Sequence, residues 1–434
     1  MTDRPLDPVS RRVFLGTTAA AAAALAMPGR LFAQGSDTIR IGLVGCGGRG
    51  TGAARDALRA SAGVELVALG DLVPDRLAQC RGELAKVAAE NADFAAKYRV
   101  TDDRCFAGFD AYQKVLASDV HLVILATPPG FRPQHLAAAV SAGKHVFAEK
   151  PVAVDAAGVR SVLATYELAR QKGLGIGVGT QRRHQAEYLA TIERIHDGAI
   201  GDVLSGQVFW NQGGLWSREH DAGWTDGEWQ IRNWLYFTWL SGDHIVEQHV
   251  HNIDVANWVL GAHPVRATAV GGRQWRVEPR YGHIYDHFAV DFEYPGGARV
   301  LSMCRQIQGT RNRVGEHFIG ASGRSNAAGE ITGGRAWTFE SAERPTPPMV
   351  QEHADLVASI RAGRPINELK QIAESTLSAI MGREAAYTGQ ELAWEDVLNA
   401  DQVLAPPEVR FGPMDVPAVA MPGRTKLARH WNEA

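Results

Sequence analysis

Glycines near the start of the chain are spaced for holding phosphates, and one carboxylate further on is placed to accept hydroxyls. Gly45–Cys46–Gly47–Gly48–Arg49–Gly50 reads G-x-G-x-x-G and follows the apolar stretch Ile41 to Val44. In such a loop the first glycine allows a tight turn, the second lets the backbone approach a pyrophosphate, and the third lets helix and strand pack closely. The helix that follows presents free N–H groups and a partial positive charge to the phosphates. An acidic residue about 20 positions further on completes the dinucleotide pattern, and Asp71 stands there. Its carboxylate can accept both ribose hydroxyls and would repel a 2′-phosphate. No lysine or arginine follows at once, so NAD is favoured and NADP is the alternative. A Gly-rich turn in some other α/β protein is the competing reading.

Two further segments end apolar strands at the edge where ligands of such sheets sit. They are Thr127–Pro128–Pro129 and Glu149–Lys150–Pro151. Thr127, Pro128, Glu149 and Lys150 join the cofactor loop as candidate cofactor contacts. A lysine at a strand end can also hold a substrate hydroxyl and tune its proton. A surface Glu–Lys pair is the plainer alternative. The proline after it can fix the turn, in cis or in trans.

A third cluster lies between Asp243 and Leu260, where the pattern predicts one helix. At about 100° per residue, His244, Glu247, His251 and Asp254 fall on one face, expected to look into a cleft. Val246, Val250, Ile253 and Asn257 fall on another. A histidine titrates close to working pH and can take a hydroxyl proton; a histidine satisfied at a domain interface is the alternative. His249 points away from His244 and His251, so one helix cannot gather three metal ligands, and no metal is expected.

These groups need a scaffold. From residue 36 to 165 short apolar strands alternate with helices, which predicts an α/β domain with a parallel sheet. Helices are expected at Thr51–Ala60, Pro74–Ala96 and Pro133–Ala142. From 166 to 400, strand-like stretches at Val203–Trp210, Val265–Trp275, His287–Tyr294, Ala298–Gln306 and Glu316–Gly320 suit a large, mostly antiparallel sheet. A helical stretch runs from Met349 to Leu392. Residues 401–434 form a Pro-rich tail, expected to be an extended arm against a neighbouring subunit of a homodimer or homotetramer.

Composition narrows the partners. The chain has 434 residues and a formal net charge of −3 with signs interspersed, which argues against nucleic acid and anionic membrane. The 4 cysteines are widely spaced without a CxxC pair, so a disulfide framework is not expected. Of 11 tryptophans, Trp210, Trp216, Trp224, Trp229, Trp234 and Trp239 crowd one stretch. One or two are expected to stack on sugar rings, the rest to pack the core.

Taken together, the chain resembles the Gfo/Idh/MocA oxidoreductase family. The likeness rests on the Gly45–Gly50 loop, Asp71, Ala126–Thr127–Pro128–Pro129, Gly143–Lys144–His145–Val146, Glu149–Lys150–Pro151, Gln181–Arg182–Arg183, Gly198–Ala199–Ile200–Gly201 and His251–Asn252–Ile253–Asp254. The resemblance implies an α/β fold: an N-terminal Rossmann domain, then a C-terminal α/β domain whose large open sheet faces the nicotinamide. It implies hydride transfer on a sugar, inositol or related polyol. Carried over residue by residue, Lys150 and His251 become the proton-transfer pair and Arg182 joins them at the substrate. Glu247 stands where the family places an aspartate that joins in catalysis, a departure that sends its carboxylate one methylene further; one turn before His251, it is expected as a third catalytic residue that orients the histidine or raises its basicity.

Ahead of all this, Ser10–Arg11–Arg12–Val13–Phe14–Leu15–Gly16 and an Ala-rich run to Met27 read as a twin-arginine export signal over 1–33. A disordered basic N-terminus is the alternative. The run is too short for a spanning helix of about 20 residues. Export to the periplasm separates the enzyme from the soluble nicotinamide pool. Three outcomes follow: in situ recycling of a tightly held cofactor by two substrates; redox-neutral lyase, epimerase or glycosidase chemistry through transient oxidation; or a binding module without turnover.

Overall fold

Residues 38–341 and 345–431 are described by a computed structural model; the expected leader lies outside them. The N-terminal half alternates strands and helices in chain order: β1 (Ile39–Val44), α1 (Gly48–Ala60), β2 (Val64–Asp71), α2 (Pro74–Glu90), α3 (Ala92–Lys97), β3 (Cys105–Ala107), α4 (Ala111–Ala117), β4 (Leu122–Leu125), α5 (Arg132–Ser141), β5 (His145–Ala148), α6 (Ala156–Lys172) and β6 (Ile176–Val178). The strands form one parallel sheet in the order β3-β2-β1-β4-β5-β6, the doubly wound arrangement of a Rossmann domain. β4 and β1 are buried almost throughout because helices cover both faces.

Two expectations are corrected here. The helix expected over Pro74–Ala96 is two helices. Asn91 adopts an extended backbone, and its side chain accepts from the Phe94 N–H at 2.9 Å, starting α3 afresh. The boundary expected after residue 165 falls inside α6. The parallel sheet continues to β6, which pairs with β5.

The C-terminal half continues with α7 (Ala186–His196), β7 (Val203–Gln212), α8 (Asp226–Arg232), α9 (Thr238–Ser241), α10 (His244–Glu247), α11 (Val250–Leu260), β8 (Arg266–Gly272), β9 (His287–Glu293), β10 (Arg299–Gln306) and β11 (Arg313–Gly320). After three short strands, β12 (Gly323–Ser325), β13 (Glu330–Gly333) and β14 (Trp337–Thr338), come α12 (Pro348–Arg361), α13 (Leu369–Thr388), β15 (Leu392–Ala393) and α14 (Trp394–Leu398). Nine strands make the second sheet, in the order β14-β13-β12-β11-β7-β10-β9-β8-β15. All its pairs are antiparallel except β7 with β10. Alternate residues Val290, Phe292, Val300 and Cys304 are buried in one core with Ile253, Leu377 and Ile380 of α11 and α13. Val270, Leu301 and Ile319, on the other face, are exposed.

The single helix expected over Met349–Leu392 is also two, because the chain turns at Gly363 in the left-handed region (φ 66°) before α13 begins. The described part of the tail lies on its own chain rather than projecting from it. β16 (Gln402–Val403) pairs with β17 (Arg429–His430), and Arg429 inserts beside the fully buried Glu384, donating to it at 2.5 and 3.0 Å. Cys46, Cys80, Cys105 and Cys304 are free thiols. Among the described residues no helix is long and apolar enough to cross a membrane.

Histidines are unusually deep in this core. Burial lowers the pKa of His135, His249, His283 and His353 to about 3 and of His145 to about 4, and holds His244 and His251 well below the usual imidazole value. His184 goes the other way: burial works against its charge, yet the Asp355 and Glu368 carboxylates raise it to about 10. The unfolded chain takes up protons near pH 6.5 that the seven depressed histidines refuse when folded. Each therefore subtracts stability as pH falls below about 6.5, at up to about 1.4 kcal/mol per pH unit. His184 contributes stability below that value and loses it as pH rises towards 10. Calorimetric melting should show a maximum near neutrality and a fall from pH 7 to pH 5; a melting temperature that is flat or rising over that interval would contradict this arrangement.

Candidate active site

The cofactor loop sits between β1 and α1. Gly45 has φ 100°, and a Cβ there would lie 2.5 Å from Ala126 and Thr127 backbone atoms. A Cβ on Gly50 would overlap the Gly45 carbonyl oxygen. Gly47 and Gly48 differ: nothing lies within 4 Å of a Cβ at either position. No side chain caps α1 and no acidic residue occupies its first turn, so its N-terminal N–H groups face open space. Asp71 ends β2 and accepts from the Cys46 N–H at 2.6 Å and the Val73 N–H at 2.8 Å. Burial raises its pKa while those N–H groups oppose the rise. The cleft over the loop has a volume of about 460 Å³, with Cys46, Asp71, Thr127 and Pro128 in its wall. A backbone cradle that a Cβ would fill, an uncapped helix start and a carboxylate at the next strand end fit a dinucleotide.

Arg49 and Glu149 also take part in an ion-pair network. The Arg49 guanidinium lies 2.6 Å from Glu149 and 3.0 Å from Glu352 of α12. Burial, and Glu149 beside it, push the Glu352 carboxyl well above the usual range. Both side chains tie the loop to β5 and α12, and Arg49 also lines the cleft over the loop. Charge pairing across some 300 residues leaves no local signal in the sequence.

Lys150 follows β5, and its bond to Pro151 is cis. Its ammonium donates to the Glu247 backbone carbonyl at 2.6 Å and to Glu247 Oε1 at 3.1 Å. Two of three donors are thus used. This pair joins the Rossmann half to α10. His251 stands one turn on, in α11, with its ring stacked on Trp210 at 5.6 Å between centroids. Burial first, then the charges of Lys150 and Arg182, keep His251 neutral. Arg182 ion-pairs with Glu316 of β11, and its guanidinium lies 5.6 Å from the Trp210 ring centroid. Glu316 is pinned in turn by Asn252 at 2.6 Å and by the Tyr188 hydroxyl at 3.1 Å. Lys150, Glu247, His251 and Arg182 therefore lie together in the structure.

The rest of the predicted stripe does not. The single helix expected from Asp243 to Leu260 breaks after Glu247 and restarts at Val250. His244 turns into the core, edge-on to Phe288. Asp254 is spent on Arg183, in a two-pronged pair at 2.8 and 2.9 Å, and on the Ser375 hydroxyl. His249 meets the Ser302 hydroxyl at 2.8 Å. Among the described residues no group of three or more His, Cys, Asp or Glu could hold a metal ion. Of the tryptophans, Trp229 and Trp239 are buried in the core, Trp210 packs on His251, and Trp216 and Trp234 line the cleft over the loop. Glu316, Asn252 and Tyr188 escaped the sequence reading because only the register of β11 beside β7 brings them in.

Residues 39–180 match the family model described as oxidoreductase family, NAD-binding Rossmann fold (GFO_IDH_MocA), and residues 188–324 match the GFO/IDH/MocA C-terminal domain. The chain is 27% identical over 264 residues to inositol 2-dehydrogenase 3 of Saccharopolyspora erythraea, covering 61% of this chain and 65% of that protein. It is 28% identical over 263 residues to inositol 2-dehydrogenase of Gluconacetobacter diazotrophicus, covering 61% and 66%. In each case the match spans just under two thirds of the relative. Among solved structures, aldose-aldose oxidoreductase from Caulobacter crescentus, complexed with glycerol, superposes with a TM-score of 0.64 at 19% identity, over 82% of this chain and 99% of that one. The apo scyllo-inositol dehydrogenase from Lactobacillus casei gives 0.61 at 19%, over 82% and 98%. At such identities these two comparisons carry the fold.

The glycines make separable predictions. Gly50→Ala should destabilise the fold, by about 1–3 kcal/mol as for other overpacked sites. Gly47→Ala should melt like the parent but bind NAD at least about tenfold more weakly, because its methyl enters the space left for phosphate. Thermal melts and titration calorimetry read the two effects; equal NAD affinity in Gly47→Ala would remove the pyrophosphate from this loop.

Proposed function

Because the chain belongs to the Gfo/Idh/MocA oxidoreductase family, we propose that it transfers hydride between a tightly held NAD and a hydroxyl-bearing carbon of a sugar, inositol or related polyol. The observation that carries this reading is the meeting of Lys150, from the edge of the Rossmann sheet, with Glu247 and His251 of the opposite half. NAD, when bound, supplies the hydride acceptor. The chain's own groups handle the proton. Uncharged His251 can accept it from the substrate hydroxyl. The third donor of Lys150 holds the same oxygen and stabilises the negative charge left on it. Glu247 positions the ammonium rather than reacting. Arg182, fixed by Glu316, offers donors to neighbouring hydroxyls, and the indole of Trp210 offers an apolar wall.

The twin-arginine sequence supports work in the periplasm. There a released NADH would not be replaced, so one substrate reduces the cofactor and another reoxidises it in place. The redox-neutral route is the second reading, favoured by the same closed economy of cofactor. A homodimer or homotetramer is part of the proposal.

Mass spectrometry of cofactor freed by denaturing the purified protein, followed by a sugar screen against its absorbance, tests the activity. Lys150→Met and His251→Ala should keep the bound cofactor yet lose about 10²–10⁴ in turnover. Full turnover in both would dismiss the pair. Deuterium entering the carbon beside the oxidised one in heavy water would select the redox-neutral route; none at that carbon selects net oxidoreduction.

A further inference from the structure

The dinucleotide cleft has a wall that the Rossmann half does not make. Trp216, Arg218, Ile231 and Trp234, all from the C-terminal half, line it opposite Asp71. This segment is built firmly. The Tyr236 hydroxyl donates to the Trp216 carbonyl at 2.7 Å, the Arg218 N–H to Asn233 Oδ1 at 2.8 Å, and the Trp229 indole to the Arg218 carbonyl at 2.9 Å. Trp216 and Trp234 meet edge to face, 6.4 Å between centroids.

The wall is also fastened across the cleft. Arg232, at the end of α8, grips Asp75 in the first turn of α2 with two donors, at 2.9 and 3.2 Å. Arg76, next in sequence, donates to the Arg232 carbonyl at 3.1 Å. Glu228 and the Trp224 ring brace the guanidinium from its own side. A two-pronged Arg–carboxylate pair fixes orientation as well as distance. It stands just past the strand end where Asp71 would hold the ribose.

We propose that the segment from Trp216 to Trp234, clamped by Asp75 and Arg232, is the second wall of the dinucleotide site and keeps the cofactor from leaving between turnovers. This deepens the reading above and rests on it. Asp75 is 65% exposed while Arg232 is 13% exposed, so the clamp can open without unfolding either half. Release of the cofactor then waits on breaking this pair.

The test is a chase. The full chain, loaded with NADH, is mixed with excess NAD, and the loss of energy transfer from tryptophan to bound NADH is followed. Asp75→Ala and Arg232→Ala should release NADH about tenfold faster, equivalent to about 1.4 kcal/mol. Asp75→Glu, which keeps a carboxylate in reach, should stay near the parent rate, and circular dichroism should show all three folded. Trp216→Phe should weaken the transfer signal. Unchanged release in both alanine variants, with NADH bound normally, would overturn the clamp and leave the cofactor site standing. A parent protein that binds no NADH at all would overturn both.

Discussion

Asp243 is the point on which the two halves turn. It is fully buried, and its backbone sits at φ 70° and ψ 162°, a region that residues other than glycine rarely adopt and that costs on the order of 1–3 kcal/mol. Its carboxylate accepts from the His244 N–H at 2.5 Å, the Tyr285 N–H at 2.8 Å and the Tyr387 hydroxyl at 2.5 Å. One side chain thereby starts α10, holds the approach to β9 and anchors the end of α13. Burial raises its pKa to about 6, and the three donors limit the rise. Next to it Arg383 donates to the Val154 carbonyl of the Rossmann half and to the Gly242 carbonyl, at 2.8 and 2.9 Å. A buried donor or acceptor left alone costs about 1–3 kcal/mol. The strain at Asp243 is kept because relaxing it would orphan several such groups at once. What the strain fixes is the direction of α10, and with it the reach of Glu247 to Lys150.

Burial first, and then the charges around that meeting point, keep His251 neutral. Lys150, Arg182 and Arg49 each oppose its protonation, although each is itself paired with a carboxylate. The result is an uncharged base among three cations that are each also paired with a carboxylate. The remaining donor of Lys150 favours the deprotonated form of a hydroxyl placed against it. The same ion pairs anchor the scaffold: Glu149 and Glu352 hold the cofactor loop through Arg49, and Glu316 ties β11 to Arg182.

How much of this could be read beforehand depends on range. The Rossmann half was legible because its signals are local: apolar runs for buried strands, glycines where only glycine fits, Asp71 at a strand end, prolines after Thr127 and Lys150. Gathering of Lys150, Arg182, Glu247 and His251 was legible through the family resemblance. The helix break after Glu247 was not. A periodic reading assumes an unbroken helix, and nothing in Gln248 or His249 marks a stop; the sheet contact of His249 with Ser302 decides it. The pairing of Arg49 and Glu149 with α12 was not legible, because Glu352 is remote in sequence. Trp216 and Trp234 looked like sugar platforms or core, and the structure sets both against the cofactor cleft.

Of the ion pairs that bridge the halves, Lys150–Glu247 and Asp75–Arg232 differ in surroundings in a way that divides the labour. Lys150–Glu247 is about 10% exposed on each side, with a backbone carbonyl as a second acceptor. Breaking it would strand a charge with little water to receive it, which costs about 3–5 kcal/mol in buried pairs. Asp75–Arg232 has one partner largely in solvent, and pairs of that kind are typically worth about 0–1 kcal/mol, more where the geometry is two-pronged. The chemical end of the cleft is therefore the rigid end, and the end beside Asp71 is the one that can open. Rigidity where the proton moves and a breakable fastening where the cofactor enters are compatible in one chain only because solvent reaches the second pair and not the first.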